Sequence, residues 1–363
     1  MKLFKYPYLI QKEILSHIPY NSLFFLSLCS KKSLNLIVVT QKSKLQMIQC
    51  ISYEIDFISM KIEANILGNK ILVMEVLSEI PNDAQGFKEY ASGTLVDFYR
   101  LPNSDFIHAV FIPNQQNSFL EAIHSQLHPL FGIHSEFSLQ IKNSENVFPK
   151  LNHIQRVNVI GQHLGPGGIE RLLSGLPNLQ SFSWRPMNHV KMRLHDNTRI
   201  HQMDTVEISN NLSLALAILR NFNGRQAFLE AYGVLENDII QFLIKWKRGK
   251  GFQNLEVLCV TEYGHLNEIG VKDGVKFKRL KTEVEYPVVR KFNPSTLKTE
   301  FIEFKTKFFI VRESDGRVAS VLLKDDRVYL GVWNMAEKEF LEKFGPLDES
   351  SGNYSMFNRR RRN

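Results

Sequence analysis

The first forty residues hold three short apolar runs, and together they are too small to enclose a core. Leu9, Ile10, Ile14, Leu15 and Ile18 fall on one helical stripe. Pro19 and Asn21-Ser22 interrupt it, Leu23, Phe24, Phe25, Leu26 and Leu28 follow, and Leu34, Leu36 and Ile37 close a third segment. A unit of about 40 residues needs disulfides, a metal or a partner surface to be stable. This one has a single cysteine, Cys29, and no cluster of metal ligands. The spacing therefore predicts three short helices that carry an apolar docking surface.

The remainder is large enough for a core of its own. A chain of 363 residues allows about two or three domains. Its 44% apolar and 23% charged content is that of a soluble globular protein. The net charge is +8, and Arg359 to Arg362 supply four of those charges. What is left is too diffuse for a nucleic-acid footprint. Cys29, Cys50 and Cys259 are far apart and odd in number, so they build neither a disulfide framework nor a zinc spacing. They point to a reducing compartment, cytoplasm or nucleus. The sequons Asn211-Leu212-Ser213 and Asn353-Tyr354-Ser355 are then chance matches. No apolar run approaches the roughly 18 residues of a membrane span. The run from Leu23 to Cys29 has no small-residue cleavage pattern after it, so it is not read as a signal sequence.

The pattern alternates after residue 45. Ile51 to Phe57 steps apolar and polar with period two, and Ile71 to Leu77 is short and β-branched. A strand is expected at Ala109 to Ile112. Ser118 then caps a helix with Phe119, Leu120, Ile123, Leu127 and Leu130 on one face, ending near Gly132. From about residue 150 a strand–helix pulse recurs. It begins at Val157-Asn158-Val159, Phe182-Ser183-Trp184, Met203 to Ile208, Ala227 to Ala231 and Asn254 to Val260. Leu179 to Met203, Val206 to Phe228 and Phe228 to Leu255 span 24, 22 and 27 residues, as in degenerate leucine-rich repeats. An amphipathic helix with Ile239, Phe242, Leu243 and Trp246 on its apolar side lies between the last two pulses. A charged connector is expected over Gly270 to Arg290. A meander follows, with Ser314-Asp315-Gly316-Arg317 as its hairpin turn.

The expected class is α+β: a three-helix N-terminal unit, an α/β leucine-rich-repeat-like body, and a closing β meander. The expected divisions are 1–45 for the helical unit, 46–150 for a mixed segment, and 151–262 for the repeat region. A meander with a short helix takes 263–347, and 348–363 is a disordered basic tail.

No constellation of catalytic residues stands out. The glycines of Gly161 to Gly168 fit neither a P-loop nor G-x-G-x-x-G, and the segment reads as a strand-to-helix turn. His124 and His128 share a helix face, but Ser125 stands where a zinc protease needs Glu. They are expected to be a solvated or capping pair. Cys29 reads as a small buried residue. Catalytic, cofactor-binding and metal-binding residues are therefore expected to be none, and the chain is not expected to be an enzyme.

The order and spacing Pro7-x-Leu9, Ile14-Leu15, Ile18-Pro19, Leu23, Leu26 and Leu28-Cys29-Ser30-Lys31-Lys32 resemble an F-box. Lys32 and Ser33 stand where that motif usually carries Trp. Two further stretches, Leu235 to Leu258 and Ile310 to Ala319 with Val332-Trp333, are similar to the F-box-associated region of the large nematode-expanded F-box family. The resemblance implies a substrate adaptor of an SCF-type cullin-RING ubiquitin ligase. Its implied docking residues for the Skp-family adaptor are Pro7, Leu9, Ile14, Leu15, Ile18, Pro19, Leu23 and Leu26. Cullin is then reached through Skp, and the body holds a protein substrate that the sequence does not identify. The other reading is a repeat-type protein or nucleic-acid interaction module, in which the N-terminal helices merely cap the core.

Overall fold

The computed structural model describes residues 3–56, 59–79, 85–100, 107–110, 115–132, 135–142, 148–161, 165–187, 198–261, 266–293, 298–324 and 326–348. The chain divides into two compact units, Met1–Ser183 and Trp184–Asn363.

The first unit opens with four helices: α1 Tyr8–His17, α2 Tyr20–Leu28, α3 Lys31–Thr40 and the single-turn α4 Lys42–Leu45. Pro7 and Pro19 precede α1 and α2, where a missing N–H costs nothing. The Ser30 hydroxyl caps α3 by accepting from the Ser33 N–H at 3.0 Å. The Lys44 ammonium donates to the carbonyls of Ser16 and Ile18 at 2.9 and 2.6 Å, placing a cation at the C-terminus of α1. Burial there pushes the Lys44 pKa down.

Strands β1 Ile48–Ile55, β2 Ser59–Ile66, β3 Asn69–Leu77, β4 Gln85–Ala91, β5 Thr94–Arg100 and β6 Ile107–Val110 come next. They are followed by α5 Gln116–Phe131, β7 Glu136–Lys142, β8 Ile154–Ile160, α6 Pro166–Gly175 and β9 Ser181–Arg185. Within this unit the strand order is β8-β7-β1-β2-β3-β6-β5-β4. β1 pairs antiparallel with β2 and parallel with β7. α5 buries Phe119, Leu120, Ile123, Leu127 and Leu130 as the spacing predicts, but it starts at Gln116 with Gln115 at its N-cap, so Ser118 lies inside the first turn and does not cap it.

The second unit continues with β10 Thr205–Ser209, α7 Leu212–Asn221, β11 Gln226–Glu230, α8 Glu236–Lys247, β12 Val257–Thr261 and α9 Glu268–Val275. It closes with β13 Lys278–Asn293, β14 Lys298–Val311, β15 Arg317–Lys324, β16 Arg327–Ala336 and α10 Glu337–Phe344. Strands β10, β11 and β12 are parallel, with a helix in each crossover. The predicted pulses at Met203, Ala227 and Asn254 are these strand–helix units. α8 carries Glu236 and Asp238 in its first turn and Lys245 and Lys247 in its last, matching the helix dipole. Trp246 is fully buried, as its spacing requires.

β12 pairs antiparallel with β16, and β15, β14 and β13 extend the meander. The stretch expected as a charged connector, Gly270 to Arg290, instead forms the larger part of α9 and most of β13. Its charges mislead because they occupy one face: Leu280, Val284 and Tyr286 are buried while Lys281, Glu283 and Glu285 are exposed. Pro287 cannot donate to a ladder, and β13 lies at the sheet edge with a bulge between Tyr286 and Val289. Tyr286, Phe304, Phe309, Trp333 and Phe340 form the aromatic centre of this unit's core.

Candidate docking surface

α1 and α2 are short and apolar, and the structure sorts their residues into three sets. Leu15 and Leu23 have no exposed surface. Ile14, Ile18 and Leu26 are half-buried. Pro7, Leu9 and Pro19 are exposed, Leu9 at 73%. The exposed set extends beyond the sequence-predicted residues to Phe4, Tyr6, Tyr8, Ile10 and Val39. Five consecutive residues, Tyr6 to Ile10, thus present apolar side chains to solvent at the start of α1. Clustered apolar exposure of this kind is the form a docking surface takes. Tyr6, Tyr8 and Ile10 carry a signal in the sequence, since they immediately flank Pro7 and Leu9.

The opposite side of this helical unit is packed inside the first domain. α2 and α3 both lie on α5, and α2 also meets β3 and β4. The Phe25 ring meets Phe98 edge-on at 5.2 Å between centroids. Gln126 on α5 donates to the Ser27 carbonyl at 3.2 Å. Tyr20 donates to the Lys44 carbonyl at 3.1 Å, and Gln41 donates to the Lys12 carbonyl at 2.9 Å. The helices are thereby held to one another and to a platform, which leaves the start of α1 as the free apolar edge. At the position of the usual Trp, Lys32 places its ammonium over the Phe4 ring at 4.6 Å and Ser33 is buried.

These observations can be set against known families. The F-box domain family matches residues 7–39. The matched span runs from the residue before α1 almost to the end of α3, and it supports an F-box protein. No curated protein and no solved structure matches the chain.

The other candidates from the sequence are placed as follows. His124 is not solvated. It is 4% exposed, its Nδ1 and the Tyr53 hydroxyl share a hydrogen bond of 2.8 Å, and burial lowers its pKa to about 4. His128 stacks on His153 with ring centroids 3.5 Å apart. Sequence spacing could not show this, because Tyr53 is 71 residues away on another element. Among the described residues no group of three or more His, Cys, Asp or Glu is arranged to hold a metal ion. Cys29 is exposed rather than buried, because it caps the outer end of α2. Asn211 caps α7 by accepting from the Leu214 N–H at 2.8 Å and is 1% exposed, so its sequon is inaccessible. Gln162 to Leu164 of the Gly-rich loop, Asn353 and Arg359 to Arg362 lie outside the described residues. Among the described residues no helix is long and apolar enough to cross a membrane.

Proposed function

We propose that the chain is a substrate-recognition adaptor of an SCF-type cullin-RING ubiquitin ligase. The observation that carries this reading is the F-box match at residues 7–39, lying on helices whose leading edge, Tyr6 to Ile10, is apolar and exposed. The Skp-family adaptor would cover that edge and link the chain to cullin. The chain would make and break no bond itself. It would raise the effective concentration of a substrate lysine near the ubiquitin-loaded enzyme.

The body supports the same role. Parallel strand–helix units such as β10 to β12 bury their apolar faces only by stacking on neighbours, and we read them as degenerate leucine-rich-type repeats. We assign Leu235 to Leu258, and Ile310 to Ala319 with Val332-Trp333, to the F-box-associated region of the nematode-expanded family on the resemblance of their sequences.

Pull-down of the purified full chain with purified Skp adaptor tests the proposal. Wild type should be retained, and the double variant Leu9→Asp/Ile10→Asp should be lost while its circular dichroism is unchanged. Failure of the folded wild type to bind Skp overturns the adaptor reading.

A further inference from the structure

The second unit contains an open cavity of about 640 Å³ at the N-terminal ends of β10, β11 and β12. Its lining repeats with the strands. Thr205, Gln226 and Val257 are register partners at the strand starts. The residue before each is Asp204, Arg225 and Glu256, which forms a row of alternating charge. Three residues before each strand start stand Gln202, Asn223 and Asn254, which forms a second row of carboxamides.

Backbone hydrogen bonds fix the rows side by side. The Asp204 carbonyl accepts from Arg225 and Gln226 at 2.9 and 2.8 Å, and the Arg225 carbonyl accepts from Glu256 and Val257 at 2.8 and 3.1 Å. Asn254 donates its side-chain amide to the Asn223 carbonyl at 3.0 Å. Gly224 lets two loops approach closely: a Cβ there would lie 1.8 Å from the Met203 carbonyl oxygen. Beyond β12 the lining continues onto Val332, Trp333 and Asn334 of β16 and Arg317 of β15.

The chemistry narrows the ligand. Two carboxylates, Asp204 and Glu256, stand with two guanidinium groups, Arg225 and Arg317, so the cavity has no excess charge to attract a polyanion. Its lining is mostly polar, unlike the apolar enclosure used by small ligands. Carboxamides donate and accept together, which matches the N–H and C=O groups of an extended backbone. The Gln202, Asp204, Asn223 and Asn334 side chains make no hydrogen bond among the described residues. Arg225 uses both Nε and Nη2 on a single oxygen of Glu256, at 2.9 and 2.7 Å. From β10 to β15 there are four inter-strand steps, or roughly 19 Å at about 4.8 Å each. That spans about six residues of extended chain.

We propose that this trough binds an extended peptide segment of a partner protein, read mainly through its backbone by the carboxamide row. Its use as the substrate site rests on the adaptor reading; peptide binding itself does not.

A phage-displayed random heptapeptide library panned on the full chain tests this. Selected peptides, labelled and titrated by fluorescence polarisation, should lose at least tenfold in affinity for the triple variant Gln202→Ala/Asn223→Ala/Asn334→Ala, as expected for several lost hydrogen bonds. These exposed side chains support no internal hydrogen bond, so thermal melting should be unchanged. A library that yields no binder, peptides that bind the triple variant as tightly as wild type, or an oligomer of the chain occupying the trough each overturn the proposal. Skp pull-down of the same triple variant keeps the two readings apart. Retention of Skp with loss of peptide supports the trough, and peptide binding by a chain that fails to hold Skp removes only its role in a ligase.

Discussion

Arg312 grips Asp315 through two parallel hydrogen bonds, Nε to Oδ1 at 2.9 Å and Nη2 to Oδ2 at 2.6 Å. The pair closes the turn between β14 and β15. Arg312 is 1% exposed, and its guanidinium lies 5.2 Å from the Trp246 ring centre on α8. Nη1 adds longer contacts of 3.4 Å to the carbonyls of Phe252 and Gln253. One turn residue therefore ties the meander to the last helical crossover before β12.

Loss of one partner should be costly, because the other charge is buried. Asp315→Ala should destabilise the protein by about 2–3 kcal/mol, below the usual 3–5 for a fully buried pair because Asp315 reaches solvent. Arg312→Lys should cost nearly as much, since an ammonium cannot reproduce the fork. The Arg312 hydrogen bonds hold the Asp315 carboxyl below its ordinary pKa. A depressed carboxyl stabilises the fold above its unfolded pKa near 4 and loses that contribution as pH falls through the folded value. Urea titrations of both variants at neutral pH measure the effect. Wild-type stability in either variant would show that the pair contributes nothing.

His124 should give the molecule a second acid sensitivity. Its folded pKa is lowered from 6.5 to about 4, first by desolvation and then by the charges of His128 and His153. The unfolded chain therefore binds more protons between those limits. Stability is complete above about pH 6.5 and falls as pH drops toward 4, by roughly 3 kcal/mol at most. His124→Gln, which keeps a polar group opposite Tyr53, should flatten the profile between pH 7 and 5. Parallel profiles for the two proteins in chemical denaturation would exclude His124 as the source.

Much of the fold was legible because local spacing carries it. Leu9 to Ile18, Ile239 to Trp246 and Phe119 to Leu130 announce their helices, and Ser314-Asp315-Gly316 announces its hairpin. What spacing could not supply is which face of an all-apolar run turns inward. Leu23, Phe24, Phe25 and Leu26 are equally apolar, and the element that decides among them, α5, begins almost a hundred residues later. The same limit hid the burial of His124 and the strand character of Lys278 to Tyr286. The two rows of the trough were invisible for another reason: only the register of β10 to β12 aligns them.

The proposed docking residues differ in burial, which separates binding from stability. Leu9→Asp should leave melting unchanged and weaken Skp binding by about 2–4 kcal/mol if Leu9 is an anchor. Leu15→Asp should unfold the helical unit, because it buries a charge with no partner. Calorimetry and Skp titration on each variant read the two effects independently. Equal Skp affinity for wild type and a folded Leu9→Asp protein would move the contact off the start of α1.

The helical unit should also prove necessary to the domain beneath it. Phe98 is fully buried, and Phe25 of α2 covers it together with Phe87 of β4. Removing residues 1–45 would expose Phe98 and the faces of α5 and β3 that α2 covers, at about 25 cal/mol per Å² of apolar surface. It would also strand Gln126, whose amide is bound by Ser27. Phe25→Ala, which keeps every helix, should cost about 1–3 kcal/mol, less than a fully buried Phe because Phe25 is half-exposed. Limited proteolysis of the truncated chain should therefore cut between Ile48 and Ser183 before it cuts the second unit. A first unit that resists protease as well without its helices would mean that the F-box segment is an appendage and that the Phe25–Phe98 contact carries no stability.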